Sequence, residues 1–151
     1  MTANLQTTEK SLYETDYILW VETNLQHLKA QDYHRVDWDN LYEEIEDMSR
    51  RERQSLESNL IIILLHLLKW QYQPEYRSGS WKGSIREHRR RVNKALKDSP
   101  SLKTYFQDIL AECYANSREQ AADETSLPLN SFPVNCLYTP EEILDSNFLP
   151  Q

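Results

Sequence analysis

Two glycines in 151 residues constrain this chain more than any other feature. Average usage is about 7%. Tight two-residue hairpins draw on glycine for positive φ, and phosphate-cradling or dinucleotide-binding loops need several glycines at fixed spacing. A chain this poor in glycine argues against architectures that need many tight hairpins, and Walker-type and Rossmann nucleotide binding are out.

Hydrophobic residues make up 39% and charged residues 27%, enough apolar side chain for one packed core in a chain of ordinary domain length. The two cysteines, Cys113 and Cys136, fit neither a disulfide framework nor a zinc set, so a reducing cytoplasm is expected. The start, MTANLQTTEK, lacks the apolar core of a signal peptide, and the strongest apolar run, Leu60 to Leu68, is too short to span a bilayer. No membrane partner is expected. The net charge of −7 hides an uneven distribution. Residues 1–76 hold 7 Lys/Arg against 14 Asp/Glu, residues 77–103 hold 9 against 2, and residues 104–151 hold 1 against 8.

Residues 1–10 are polar and expected to be disordered, with a single helical domain over 11–151. Ser11 and Glu14 offer a capping box for a first helix whose stripe runs Tyr13, Tyr17, Trp20, Val21, Asn24 and Leu28, ending near Gln31. Asp37 caps a second helix, with Leu41, Ile45 and Met48 as its buried face. No proline or glycine interrupts the chain from there to Tyr72, which predicts one long helix or two with a bend near 49–53. Asn59 to Trp70 is apolar nearly all round, the mark of a helix surrounded by others.

A third helix is predicted over 81–97, with Trp81, Ile85, His88, Val92 and Leu96 on one side and Lys82, Arg86, Arg89, Arg90, Lys94 and Lys97 on the other. Ser99 caps a fourth that starts at Pro100 and reaches about Ala122. Beyond Glu124 the chain is proline-punctuated and extended, with one short helix opened by Thr139, Pro140 and Glu142.

Three sets of residues are candidates for chemistry. Glu52, Asn59, His66 and Gln73, spaced by sevens, form a polar ridge on the long helix. Buried polar groups need partners, supplied either by an internal network or by a small ligand in a pocket around His66. Arg86, Arg89, Arg90 and Lys94 could track phosphates along the basic face at 81–97, although a basic face in an acidic protein is most simply paired internally. A nuclease built there would use His66 or Glu44 as acid or base. Those two lie about 33 Å apart along a continuous helix, so pairing them needs the helix to fold back.

Metal binding has little support. His27, His34, His66 and His88 are scattered, and the Glu43-x-x-Glu46 pair lacks the E-x-x-H partners of di-metal bundles. No metal and no cofactor is expected.

The stretches H-L-L-K-W-Q-Y-Q-P at 66–74, S-W-K-G-S-I-R-E-H-R-R-R-V at 80–92 and D-S-P-S-L at 98–102 carry a resemblance. With them go D-Y-I-L-W, L-Y-E-E-I-E-D-M, F-P-V-N-C-L-Y-T-P-E-E-I-L-D and the closing F-L-P. Together they resemble domain-of-unknown-function family twenty-nine, an uncharacterised family common in cyanobacteria, over nearly the whole chain. The resemblance implies a small all-helical fold and assigns no activity and no catalytic residue.

The fold expected is all-α: a four- to five-helix bundle with a central apolar helix and an extended C-terminal tail carrying one short helix. The function favoured is a cytoplasmic, non-enzymatic interaction module that pairs with itself or with another protein, because Tyr and Trp combine apolar area with a polar edge. Nucleic-acid binding or cleavage on the 81–97 face is the alternative, and a ligand pocket around His66 the second.

Overall fold

Asp16 splits the first predicted helix. A computed structural model of the chain describes residues 12–151, in which a helical turn at 12–15 is followed by Asp16 and then by α1, Tyr17–Lys29. The Asp16 carboxylate accepts from the Leu19 amide at 3.0 Å, an ordinary N-cap. Expectations for residues 1–10 and for the Ser11 cap lie outside the described residues.

The other helices are α2, Trp38–Tyr72; α3, Gly79–Asp98; α4, Leu102–Thr125; and α5, Pro140–Leu144. Short 3-10 turns occupy Tyr33–Arg35, Pro74–Tyr76 and Leu129–Ser131. The fold is all-α, with no strand among the described residues. Contacts divide the chain into two compact units, one ending at Arg50 and the other running from Arg51 to Gln151.

In the first unit α1 and the start of α2 form an antiparallel hairpin. Trp20 meets Asp37, and seven residues back along α1's direction Tyr13 meets Glu44, seven residues onward. Trp20 and Asn24 are buried as the spacing predicts, while Tyr17 and Val21 of the same predicted stripe are exposed. Ile45 and Met48 are not: they are 54% and 58% exposed, which corrects their assignment to the buried face of the second helix. The inward line of α2 runs instead through Asp37, Asn40 and Glu44, side chains that hydrogen-bond to α1, to the turn before it or to one another.

The second unit is built on the rest of α2. Leu60, Ile63, Leu64, Leu67 and Leu68 are fully buried, as the all-round apolar run predicts. They pack in one core with Ile85, Val92 and Leu96 of α3, Phe106, Cys113 and Tyr114 of α4, and Phe132, Tyr138 and Ile143 of the tail. Both thiols are free, and burial holds the Cys113 thiol up at about 12.

Three boundaries differ from expectation. Ser99 closes α3, and α4 is capped by Ser101, because the D-S-P-S sequence forms a turn whose Leu102 amide donates to the Ser99 carbonyl. α4 runs on to Thr125. α3 begins at Gly79, so both glycines sit inside a helix, neither with positive φ. The left-handed positions belong to Gln31 (φ 58°) and Ser126 (φ 60°). Thr139, Pro140 and Glu142 form the predicted capping box, with both reciprocal bonds at 3.1 Å.

Candidate functional site

Glu44 is 5% exposed and accepts a hydrogen bond on each carboxylate oxygen, from Tyr13 Oη at 2.6 Å and from Tyr17 Oη at 2.7 Å. The bond to Glu44 raises the Tyr13 hydroxyl to about 12, with burial and the neighbouring carboxylates adding to it. Asp37 anchors the other end: its carboxylate accepts from Trp20 Nε1 (3.0 Å) and Asn40 Nδ2 (2.7 Å), while its amide donates to Asn24 Oδ1 (2.8 Å). These side chains lock the hairpin, so Glu44 is a structural carboxylate whose oxygens are already engaged.

The lock aims the apolar residues of both helices the same way. On α1, Ile18, Val21 and Leu25 lie within about 60° of one another, and so do Trp38, Tyr42 and Ile45 on α2. Each group is rotated about 120° in the same sense from its helix's inward line. In an antiparallel pair, equal rotations in one sense bring both groups to the same side. All six are exposed, from 38% for Val21 and Trp38 to 64% for Ile18, and Trp38 and Tyr42 are in ring contact at 5.9 Å. Exposed carboxylates of Glu14, Glu22 and Glu46 stand on or beside this face.

On α3 the structure separates the four predicted phosphate ligands. Arg89 is 2% exposed and donates to three backbone carbonyls: Nε to Ile143 (2.8 Å), Nη1 to Phe148 (2.7 Å) and Nη2 to Glu142 (3.1 Å). It satisfies the C-terminal carbonyls of α5 and tethers the tail, which corrects its assignment to the solvated basic face. Burial lowers its pKa from the usual guanidinium value, and Asp145 opposes the shift.

Arg90 forks onto Glu87 (3.0 and 2.7 Å), which Arg91 also contacts (3.1 Å), and Lys94 pairs with Asp98 (2.7 Å). The two arginines hold the Glu87 carboxyl down at about 2. Arg86 and Lys82 have no carboxylate within ion-pair distance among the described residues.

The polar ridge is not one site. Glu52 is exposed, and Gln73 lies beyond the end of α2 and donates to the Thr125 carbonyl at 3.3 Å. Asn59, 8% exposed, makes only a long bond to Ser55 Oγ (3.4 Å). His66 Nδ1 lies 2.8 Å from the Ile62 carbonyl; a carbonyl only accepts, so this nitrogen carries the proton. Burial, the largest effect, lowers the His66 pKa.

A groove of about 640 Å³ between α2 and α3 takes in Glu52, Asn59, Arg90 and Lys94, and His66 is not among the residues that line it. α2 is one helix from Trp38 to Tyr72, rather than two with a bend near 49–53. Among the described residues no group of three or more His, Cys, Asp or Glu is placed to hold a metal ion. No described helix is long and apolar enough to cross a membrane.

Sequence reasoning missed the Tyr13–Glu44–Tyr17 lock and the tether made by Arg89. The signal for the first was faint: two tyrosines four apart share one side of the first helix, and Glu44 is an acid amid the apolar positions of the next. Arg89 had no comparable signal, since backbone carbonyls leave no mark in a sequence.

No curated protein and no solved structure matches the chain. Residues 12–149 match the family described as Domain of unknown function DUF29, a span from the lock through the tethered tail, and the chain belongs to that family.

Proposed function

We propose that this protein is an interaction module that docks a partner helix on the apolar face of its N-terminal hairpin. One observation carries the reading: six large apolar side chains from two helices point to one side of the hairpin and stay exposed. Exposed apolar surface of this kind marks interaction sites in soluble proteins, and each such side chain is worth roughly 1.5–3 kcal/mol when fully buried. The lock at Glu44 and Asp37 holds both helices in place beforehand, which lowers the ordering cost of binding.

The chemistry of the occupant follows from the rim. Glu14, Glu22 and Glu46 are exposed acids, and residues 12–50 as a whole are strongly acidic. Two copies pairing face to face would set these carboxylates against each other. An amphipathic helix with basic flanks meets both the apolar floor and the acidic rim.

Calorimetric titration with a synthetic Leu/Lys amphipathic peptide, beside sedimentation of the protein alone, tests this reading. Saturable peptide binding that weakens with salt and is lost in Ile18→Glu/Tyr42→Glu supports it. A concentration-dependent dimer abolished by the same substitutions would make a second copy the occupant. A monomer that binds peptide no better than the double variant refutes it.

A further inference from the structure

Neutralisation along α3 is uneven. Arg90, Arg91 and Lys94 are matched by Glu87 and Asp98, and Lys97 also acts on Asp98. Lys82 and Arg86, one turn apart nearer the start of the helix, have no matching acid among the described residues. They line a pocket of about 150 Å³ whose other walls are Ile85, Arg89, Ser146, Asn147 and Leu149. Arg89 brings a buried guanidinium to it, and its three carbonyl bonds use three of the five N–H groups an arginine carries. Ser146 and Asn147 at its edge carry uncharged donor groups, in a turn where the Asn147 amide donates to Asp145 Oδ1 at 2.9 Å.

We propose that this pocket binds one phosphate-type oxyanion, the terminal group of a small phosphomonoester. Three observations select that ligand. The volume is enough for one tetrahedral anion, whose ester group would extend out of the pocket. The charges of Lys82, Arg86 and Arg89, offset by the nearby Asp145, leave about two positive charges, which matches the −1.5 to −2 of a phosphomonoester near neutral pH better than the single charge of a diester. The donors are of several kinds: a flexible ammonium, an exposed guanidinium fork, a buried guanidinium and two neutral groups, a mixture that can surround an anion on several sides. The site is independent of the hairpin face, and either can fail alone.

Amide NMR titration at low ionic strength and pH 7.5 tests it with three probes: inorganic phosphate, a sugar phosphomonoester, and a single-stranded oligonucleotide without terminal phosphates. Inorganic phosphate and the monoester should give saturable shifts at Ser146, Asn147 and the Arg86 side chain. Affinity should fall at least tenfold in Lys82→Gln/Arg86→Gln and be unchanged in Arg91→Gln/Lys94→Gln. Both Lys82 and Arg86 are exposed, so the double variant should keep its circular dichroism. Non-saturating shifts, shifts centred on residues 90–94, or binding that survives in Lys82→Gln/Arg86→Gln would overturn the assignment. Saturation by the oligonucleotide alone would overturn it as well.

Discussion

Arg89 and Ile143 are 54 positions apart, and the buried Nε of the first donates to the carbonyl of the second at 2.8 Å. Nη1 and Nη2 bind two more carbonyls of the same segment, so one side chain holds both the end of α5 and the chain after it.

Arg89→Met removes three charge-assisted hydrogen bonds and leaves three carbonyls without them, which should cost on the order of 3 kcal/mol or more. Urea unfolding monitored by circular dichroism measures the loss. Arg89→Lys should recover only a part, because an ammonium cannot reproduce the fork. A lysine variant as stable as the wild type would sink the tether.

The hairpin lock makes a prediction at alkaline pH. Tyr13 ionises near 12 in the folded protein against an ordinary 10.0, so folding favours its protonated form. Its contribution is complete below pH 10 and is lost as the pH rises toward 12. In Glu44→Gln the Tyr13 titration, followed by the NMR shift of its ring carbon bearing the hydroxyl, should move back toward 10. An unmoved midpoint would mean that the carboxylate is not the cause.

His66 works in the opposite direction. Its folded pKa lies below the ordinary 6.5 because burial disfavours the imidazolium. Its contribution is therefore complete above pH 6.5 and falls away as the pH drops toward the folded value. The urea midpoint should decline between pH 7 and pH 5, and less so in His66→Gln. Imidazole NMR should show the proton on Nδ1 in the neutral form, consistent with the bond to Ile62.

Gly83→Ala should stabilise the protein by roughly 0.5–1 kcal/mol, since Gly83 lies within α3 with ordinary helical φ and an added Cβ meets nothing within 4 Å. A thermal scan at fixed protein concentration reads the gain. A lowered midpoint would show that the glycine is needed for something the helix geometry does not reveal.

Much of the fold was legible because its signals are local. The all-round apolar run at 59–70, the stripe Ile85–Val92–Leu96 and the Thr139 capping box depend on residues within a turn or two of each other, and each stands where the pattern places it. Ile45 and Met48 were misread because periodicity says which side chains share a face and is silent on whether anything covers that face. Arg89 was misread for a related reason. A helical wheel sorts arginines by side, yet what buries this one is a backbone that arrives more than fifty residues later. The candidate pocket was half legible: Arg86 and Arg89 stood out by charge, while Ser146 and Asn147 had nothing to mark them.

Beside the burial of Phe132, Tyr138 and Ile143 in the core, the tail is gripped by its main chain. Besides the Arg89 fork, Asn93 donates to the Leu144 carbonyl, Arg118 to Phe132 and Tyr114 to Pro133. A carbonyl is the same whichever residue carries it, so this second grip, unlike the buried side chains, is indifferent to spelling and strict about length. Exposed tail positions such as Val134 and Asn135 should drift freely in evolution. A single-residue deletion between Phe132 and Phe148 would put the later carbonyls out of step with the donors that read them, so the exposed positions of the tail should tolerate new letters far better than a missing one.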